Sequence, residues 1–309
     1  MTTVRSLESS DVDEVVQRIV ARLGDDAALQ PLINPTIETE LLAESLHHAV
    51  EQTWIAQRDG VLCGHLFGAL LESESYGNGV WIGPDGASFD DTDVLSELYS
   101  AAGATWIEHG ALEHYVWTLD DVTSRQPWYE LGFARMHVRG VLALVERGPS
   151  SVPQGYRVRR GGVGDIEAAV ALDDELDAVQ KSGPSFSIGL DHSSKRDELL
   201  ETLADPEVHH YVVDYDDVAV AQCITFPLPP RRGSFNETLH LSAVTVSSEH
   251  RHLGVGTAMI DVALNDAVAA GFHYVETNWR VTNRHAQRYW LRYGFEPTYV
   301  RLHRTIGAG

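Results

Sequence analysis

The sequence predicts an α/β (α+β) chain of two tandem domains, in each of which helices flank a sheet. Its 309 residues suit two domains of ordinary size. Weakly similar segments mark the beginning and the end of both halves. In the second half, predicted helices alternate with predicted strands, which is typical of a sheet that contains parallel strand pairs.

The two halves begin and end alike. A Val-Arg pair precedes an aspartate that we expect to cap a helix, and these are Val4-Arg5 with Asp11 and Val158-Arg159 with Asp165. Each half also closes with an aromatic helix followed by Gly132-Phe133 or Gly294-Phe295, where glycine can adopt the left-handed conformation. The segment 146–155, rich in Gly, Pro and Ser, predicts the boundary between a first domain at 1–152 and a second at 153–309.

Local patterns predict the elements in order. In the first half a helix follows Asp11, and a strand pair at 53–57 and 61–69 precedes a helix near 95–109. Glu113 and His114, beside a Gly-Ala turn, are expected to face solvent. In the second half the predicted elements are strand 156–160, helices 165–180 and 195–203, strands 210–214, 218–226 and 238–246, a helix closed by Gly271, strand 274–278, helix 283–293 and strand 298–304.

The charge balance excludes some classes of partner. Lys+Arg number 23 and Asp+Glu 45, which gives a formal net charge of −22. An acidic surface repels phosphate groups, so we expect no nucleic-acid and no membrane partner, whereas a cationic amine would be attracted. Two cysteines are too few for a disulfide framework, no apolar run approaches the length of a membrane span, and no metal-binding spacing occurs. We therefore expect a cytoplasmic monomer or homodimer without a metal site.

The most specific motif is Arg251-His252-Leu253-Gly254-Val255-Gly256-Thr257, between a β-branched strand and an amphipathic helix. Its glycines let the backbone approach an anion, and the free N–H groups at the helix N-terminus favour pyrophosphate. The motif is neither a Rossmann fingerprint nor a Walker loop, because the glycine spacing of the first and the Gly-Lys-Ser/Thr of the second are missing. Taken alone, such a motif is more often a helix-entry turn that binds nothing.

With the segments that follow it, this loop resembles the acetyl-CoA loop of the GCN5-related N-acetyltransferases (GNAT). The shared pattern is Arg-x-x-Gly-x-Gly after a strand, then another strand, Asn283-x-x-Ala286, and an aromatic run ending at Tyr293-Gly294-Phe295. The resemblance covers nearly all of 153–309 and is strongest over 238–305. It implies two tandem GNAT-like domains, each with a mixed, mostly antiparallel sheet and a splayed central strand pair.

The first half resembles the same fold without its loop. It has Asp90-Asp91-Thr92-Asp93 where the second half has Arg251 to Gly256. Carboxylates at this place would repel a pyrophosphate, so we expect the first half to be degenerate and to bind no cofactor.

The resemblance implies acetyl-CoA as the cofactor and assigns residues to it. The backbone of Val244, Thr245 and Val246 would pair with the pantetheine, loop 251–257 would bind the pyrophosphate, and Asn283, Ala286 and Trp290 would lie against the cofactor. Family members place a Glu or His general base on the strand before the loop. Strand alternation would put His240, Ser242, Val244 and Val246 on one face, so His240 is the predicted base. The alternative is a strand histidine that merely packs or faces solvent.

The general acid is harder to assign. The family usually has a tyrosine four residues after Ala286, where this chain has Trp290, which cannot donate a proton to the thiolate and which we expect to pack in the core. Tyr293 lies roughly on the same helix face and is the predicted acid, whereas Tyr289 points about 100° away. Water could also protonate the thiolate. Arg280 is the predicted substrate residue, where it would orient an acidic group of the acceptor, although a salt bridge is the commoner fate of such an arginine.

These residues predict an acetyl-CoA-dependent N-acetyltransferase that acts on a primary amine of a small molecule by direct transfer. The first half would be a scaffold and, with 182–194, a wall of the acceptor cleft. One alternative is an acetyltransferase like mycothiol synthase, which shares the tandem plan. Another is a non-catalytic acyl-CoA-binding or sensor protein, which the missing tyrosine keeps open.

Overall fold

The computed structural model describes residues 2–72, 77–148, 151–187 and 195–307. The strands are β1 Thr2–Ser6, β2 Thr53–Arg58, β3 Val61–Phe67, β4 Ala69–Leu71, β5 Gly79–Ile82, β6 Ala87–Phe89, β7 Glu113–Leu119, β8 Ala134–Ala143, β9 Tyr156–Arg160, β10 His209–Tyr215, β11 Val218–Pro227, β12 Thr238–Val246, β13 Tyr274–Arg280 and β14 Glu296–Thr305. The helices are α1 Val12–Leu29, α2 Thr39–His48, α3 Thr92–Glu108, α4 Val122–Glu130, α5 Ile166–Lys181, α6 Lys195–Ala204, α7 Val255–Ala269 and α8 Arg284–Tyr293. The predicted mixed α/β class is confirmed.

The described chain forms two compact units. The first comprises Met1–Arg139, Arg231–Ser234 and Pro297–Gly309, and the second comprises Gly140–Pro230 and Phe235–Glu296. Each unit is therefore assembled from separate stretches of chain, and most of the last strand, β14, belongs to the first unit. The division of the sequence into repeats at residue 152 stays a prediction.

The first unit contains two sets of paired strands. One has the order β1-β2-β3-β6, and the other has the order β4-β5-β7-β14. The pairing is antiparallel throughout, except that β5 runs parallel to β7. Helices α1 and α2 bury an apolar stripe against this core, with Val15, Ile19 and Leu42 almost inaccessible beside Ile55.

The second unit has the strand order β13-β12-β11-β10-β9. All neighbours are antiparallel except β12 and β13, which are parallel. Their pairing extends from Thr238 opposite Tyr274 only to His240 opposite Glu276. Just beyond it, the Thr277 hydroxyl donates to the Leu241 carbonyl at 2.9 Å. The two central strands thus separate after His240, which is the splay that the resemblance implies.

A β-bulge interrupts β12 just after the splay. Ser242 lies opposite Ile224 and Thr245 opposite Gln222, so β12 contains one extra residue, and Ala243 has a φ of 49°. Because paired residues share a face, Thr245 returns to the face of His240 and Ser242. Val244 and Val246 point the other way. The prediction that all four alternate positions from His240 to Val246 share one face is therefore wrong beyond Ser242.

Helices cover both faces of this sheet. On the face of His240, α5 and α6 pack against Ile224 and Phe226. On the opposite face α7 packs against β10 to β12 and buries Val255, Met259 and Ala263. The bulge thus turns the last residues of β12 towards the beginning of α7.

Several local expectations can be checked. Gly132 and Gly294 have φ of 84° and 112°, and the following Phe N–H donates to the carbonyl of Trp128 or Trp290, which confirms the predicted helix ends. Asp11 and Asp165 are the N-cap residues of α1 and α5, as predicted, although neither side chain accepts a hydrogen bond from its helix. Each instead ends a short 3-10 turn and forms a bidentate pair with the arginine of its repeat, Arg5–Asp11 at 2.7 and 2.8 Å and Arg159–Asp165 at 3.1 and 2.7 Å.

The expectation that Glu113 and His114 face solvent is wrong for His114 and holds only in part for Glu113, whose side chain is 25% exposed. His114 is fully buried, and its ring bonds to the Tyr99 hydroxyl and the Ala111 carbonyl. Glu113 accepts hydrogen bonds from Thr305 and the ring of His303. A sequence window around the turn contains none of these partners. Within the described ranges, no helix is both long and apolar enough to cross a bilayer.

Candidate active site

The end of the β12–β13 pair brings together two titratable side chains. His240 and Glu276 are directly opposite each other, with His240 Nδ1 4.0 Å from Glu276 Oε1. The Glu276 side chain is 1% exposed and that of His240 15%. His240 also contacts the Phe226 ring, with centroids 5.1 Å apart. A buried carboxylate beside a partly exposed imidazole, where two strands part, is an arrangement suited to proton transfer.

Sequence reasoning identified His240 but missed Glu276. The available signal was a charged residue in an otherwise β-branched and aromatic strand, Tyr274-Val275-Glu276-Thr277. Such a glutamate is most often solvent-facing, and only the pairing register shows that this one is opposite His240.

The predicted loop forms an open helix N-terminus. Gly254 is the N-cap residue of α7 with a φ of 83°, and His252 is also left-handed at 64°. The first intrahelical bond runs from the Ala258 N–H to the Gly254 carbonyl at 3.0 Å, and no side chain caps the helix. The amides of Val255, Gly256 and Thr257 precede that bond, so they are available to an anion.

In the first unit, a side chain caps the N-terminus of the corresponding helix, α3. Asp91 caps α3 by accepting a hydrogen bond from the Val94 N–H at 2.9 Å, and it also pairs with Arg58. Asp90 pairs with Arg18 at 2.7 Å. The hydrogen bonds from the Val94 N–H and from Arg58 lower the pKa of the Asp91 carboxyl, so Asp91 keeps a negative charge at this helix end. The first unit thus has a carboxylate where the second has bare glycine backbone.

Two basic residues at the loop, His250 and Arg251, form hydrogen bonds within the protein. The Arg251 Nε donates to the Val246 carbonyl at 2.8 Å, and its Nη2 lies 3.4 Å from Glu175 Oε2. The His250 ring bonds to the Tyr156 hydroxyl at 2.8 Å. Arg251 therefore ties the loop to the end of β12, while the exposed His252 remains at the surface of the loop.

Helix α8 begins and packs as its sequence requires. The Asn283 Oδ1 caps it by accepting from the Ala286 N–H at 3.0 Å. Trp290 is 5% exposed and meets Phe295 edge to face, with centroids 5.0 Å apart. The position where the family pattern has tyrosine is thus occupied by an indole that packs in the core.

The two tyrosines of α8 lie beside successive turns of α7. The Tyr289 hydroxyl is 3.4 Å from Thr257 Oγ1, in the first turn. Burial raises the Tyr289 pKa to about 12, so it remains protonated at neutral pH. Tyr293 lies one turn further along, where its hydroxyl donates to Asp261 at 2.5 Å and Arg147 lies 4.8 Å from its ring centroid. Burial, together with Asp261, also raises the Tyr293 pKa.

Arg280 lies at the end of β13 and contacts α5. Its Nε donates to Gln180 Oε1 at 3.1 Å, and nearby the Ser185 and Thr282 hydroxyls are 2.7 Å apart. These contacts join the end of α5 to the turn after β13. Of the predicted acceptor wall at 182–194, residues 188–194 lie outside the described part of the chain.

Comparison with known proteins agrees with this geometry. Residues 176–295 match the model of the Acetyltransferase (GNAT) family. No curated protein sequence matches the chain significantly.

Solved structures share the fold over most or all of the chain. A GCN5-related N-acetyltransferase from Sphaerobacter thermophilus is 16% identical with a TM-score of 0.61, and the match covers 100% of this chain and 96% of that one. A tandem GNAT protein from the clavulanic acid biosynthesis pathway is 18% identical, with 100% of both chains covered and a TM-score of 0.53. A GCN5-related N-acetyltransferase from Kribbella flavida is 15% identical, with 81% and 89% covered and a TM-score of 0.52. At these identities the likeness concerns the fold.

Proposed function

We propose that this chain is a tandem-fold member of the GNAT acetyltransferase family, and that its second unit transfers an acetyl group from acetyl-CoA to a primary amine of a small molecule. One observation carries the proposal. An open glycine N-terminus on α7 directly follows a splayed, bulged strand that presents His240 at the splay. An anion site and a proton acceptor thereby lie at the two ends of one strand.

The residues present fit acetyl-CoA. The α7 amides of Val255, Gly256 and Thr257 would hold the pyrophosphate, because they are free N–H groups at the positive end of the helix. The backbone of Val244, Thr245 and Val246 lies beyond the last residue of β12 that pairs with β13, so its edge can pair with the pantetheine amides. Arg251 would act indirectly by holding the loop against Val246.

The proposed reaction assigns a proton transfer to each of two side chains. Bound acetyl-CoA supplies the acetyl group as a thioester. His240 takes a proton from the incoming amine, whose nitrogen forms the new C–N bond as the C–S bond breaks. Tyr289 donates its hydroxyl proton to the departing thiolate. Its hydroxyl lies beside Thr257 in the first turn of α7, whereas the Tyr293 hydroxyl bonds to a carboxylate. Tyr293, the residue expected from sequence, is the alternative, although its hydroxyl donates to Asp261.

We assign the first unit a scaffold role, supported by what replaces the proton-transfer pair. The first unit also has a parallel strand pair, β5–β7, and its register places Trp81 opposite Tyr115. The two rings stack with centroids 4.5 Å apart. The parallel strands of the first unit thus carry a stacked aromatic pair, and Asp91 caps the N-terminus of the helix that would bind the cofactor.

The acidity of the chain favours a cationic acceptor. A formal charge of −22 attracts amines such as polyamines, amino sugars and aminoglycosides, and disfavours acidic amino acids. The attraction is long-range, so it weakens as salt screens charges over about 8–10 Å. We expect kcat/KM for a cationic amine to fall with ionic strength, whereas an indifferent rate would contradict electrostatic selection.

The test is release of free thiol from acetyl-CoA in a panel of amines, with the acetylated product identified by its mass. Transfer to a primary amine supports the proposal. Tight acetyl-CoA binding with no thiol release across the panel would overturn it in favour of a non-catalytic acyl-CoA-binding protein.

A further inference from the structure

We propose that Glu276 is a positioning residue for His240. Its carboxylate orients the imidazole and stabilises the imidazolium that forms when His240 takes the proton of the amine. This inference rests on the proposed function and adds a second residue to its proton-transfer site.

The pairing register carries the geometry. His240 and Glu276 are opposite each other at the last pair of two parallel strands, so their side chains share one face. His240 Nδ1 lies 4.0 Å from Glu276 Oε1. This distance is too long for a hydrogen bond, so the two side chains interact through their charges when His240 is protonated. The strands part immediately after this pair, so the imidazole stands at the opening of the splay.

The difference in exposure separates the two roles. The Glu276 side chain is 1% exposed and cannot meet an amine directly, whereas the His240 side chain is 15% exposed. The carboxylate can therefore act on the reaction only through the imidazole. A carboxylate 4.0 Å from the ring stabilises the imidazolium by its charge without itself taking the proton.

The described part of the second unit contributes the following neighbours on this face. On the β11 side the neighbour of His240 is the apolar ring of Phe226, and β12 continues with the neutral Ser242. Along β13 the charged residues on this face are Glu276 and Arg280, and Arg280 donates to Gln180 of α5.

The experiment is an NMR titration of the His240 imidazole in the full-length, ligand-free protein, with His240→Ala identifying its signal. Wild type is compared with Glu276→Gln, which keeps the shape and removes the charge. We expect the pKa of His240 to be lower by about one unit or more in Glu276→Gln, because a carboxylate within 4–6 Å favours the imidazolium. Glu296→Gln is the matched control, since Glu296 is an exposed glutamate of the same unit, and it should leave the titration unchanged.

Kinetics separate positioning from folding. With an amine substrate, Glu276→Gln should lower kcat by about 10-fold to 100-fold with unchanged acetyl-CoA affinity, and should add nothing in a His240→Ala background. Glu276→Asp should restore part of the rate. An unchanged His240 titration in Glu276→Gln, with only a lower melting temperature, would overturn the proposal. The NMR titration of His240 needs no turnover. Failure to find an amine acceptor would therefore count against the proposed function but not against the interaction of Glu276 with His240.

Discussion

Replacement of Gly254 by glutamate is the sharpest test of the cofactor loop. Gly254 has a left-handed φ of 83°, and a side chain there would have open space, with Pro153 Cγ at 3.8 Å from the added Cβ. Two effects follow. The left-handed backbone costs about 1–2 kcal/mol of folding free energy for a non-glycine residue. The new carboxylate also stands at the helix end assigned to the pyrophosphate.

The electrostatic effect is the larger of the two for binding. Like charges about 5 Å apart repel by about 3 kcal/mol at an effective dielectric constant of about 20. That corresponds to about a 100-fold weaker affinity for acetyl-CoA, measured by calorimetry. Adding Gly256→Glu should abolish binding, because the added Cβ also comes within 3.2 Å of Val246 Cγ2.

Gly271→Glu is the matched control. Gly271 follows the other end of α7, has a φ of 89° and has nothing within 4 Å of an added Cβ. It should therefore lose similar stability in thermal unfolding while keeping normal affinity for acetyl-CoA. Unchanged affinity in Gly254→Glu, or equal loss of affinity in Gly271→Glu, would refute the assignment of the loop.

Three further predictions concern individual side chains. His240→Ala should lower kcat by about 10²–10⁴-fold at neutral pH and leave the acetyl-CoA affinity intact. High pH should partly restore the rate, because the amine is then already neutral. A variant that is equally slow at every pH would contradict the role of His240 as base. Tyr289→Phe should slow steady-state turnover more than Tyr293→Phe, whereas the reverse order would assign the acid to Tyr293. The hydrogen bond from Arg159 lowers the pKa of Asp165, so its stabilisation is present at neutral pH and is lost as pH falls below about 4. Urea unfolding should therefore show Asp165→Asn less stable than wild type at pH 7, with a smaller difference at pH 3, and an equal difference at both pH values would exclude the ion pair.

Features set by short stretches of chain could be predicted from the sequence. The strands and helices of the second unit follow from periodicity and turn residues, which act within a few residues of each other. Gly294 ends α8 and Gly254 begins α7 because only glycine adopts these left-handed conformations without strain. The same local chemistry distinguishes the acid-capped helix end of the first unit from the open one of the second.

Features that depend on which strands become neighbours required the tertiary structure. The bulge at Ala243 reverses the alternation of β12, and no local residue pattern indicates where an extra residue is accommodated. Glu276 becomes a site residue only because the register of β13 places it opposite His240. Tyr289 and Tyr293 are distinguished by Thr257 and Asp261 on another helix. In each case the deciding partner is distant in sequence, so the periodicity of one segment contains no information about it, and only the packing of strands and helices brings it into contact.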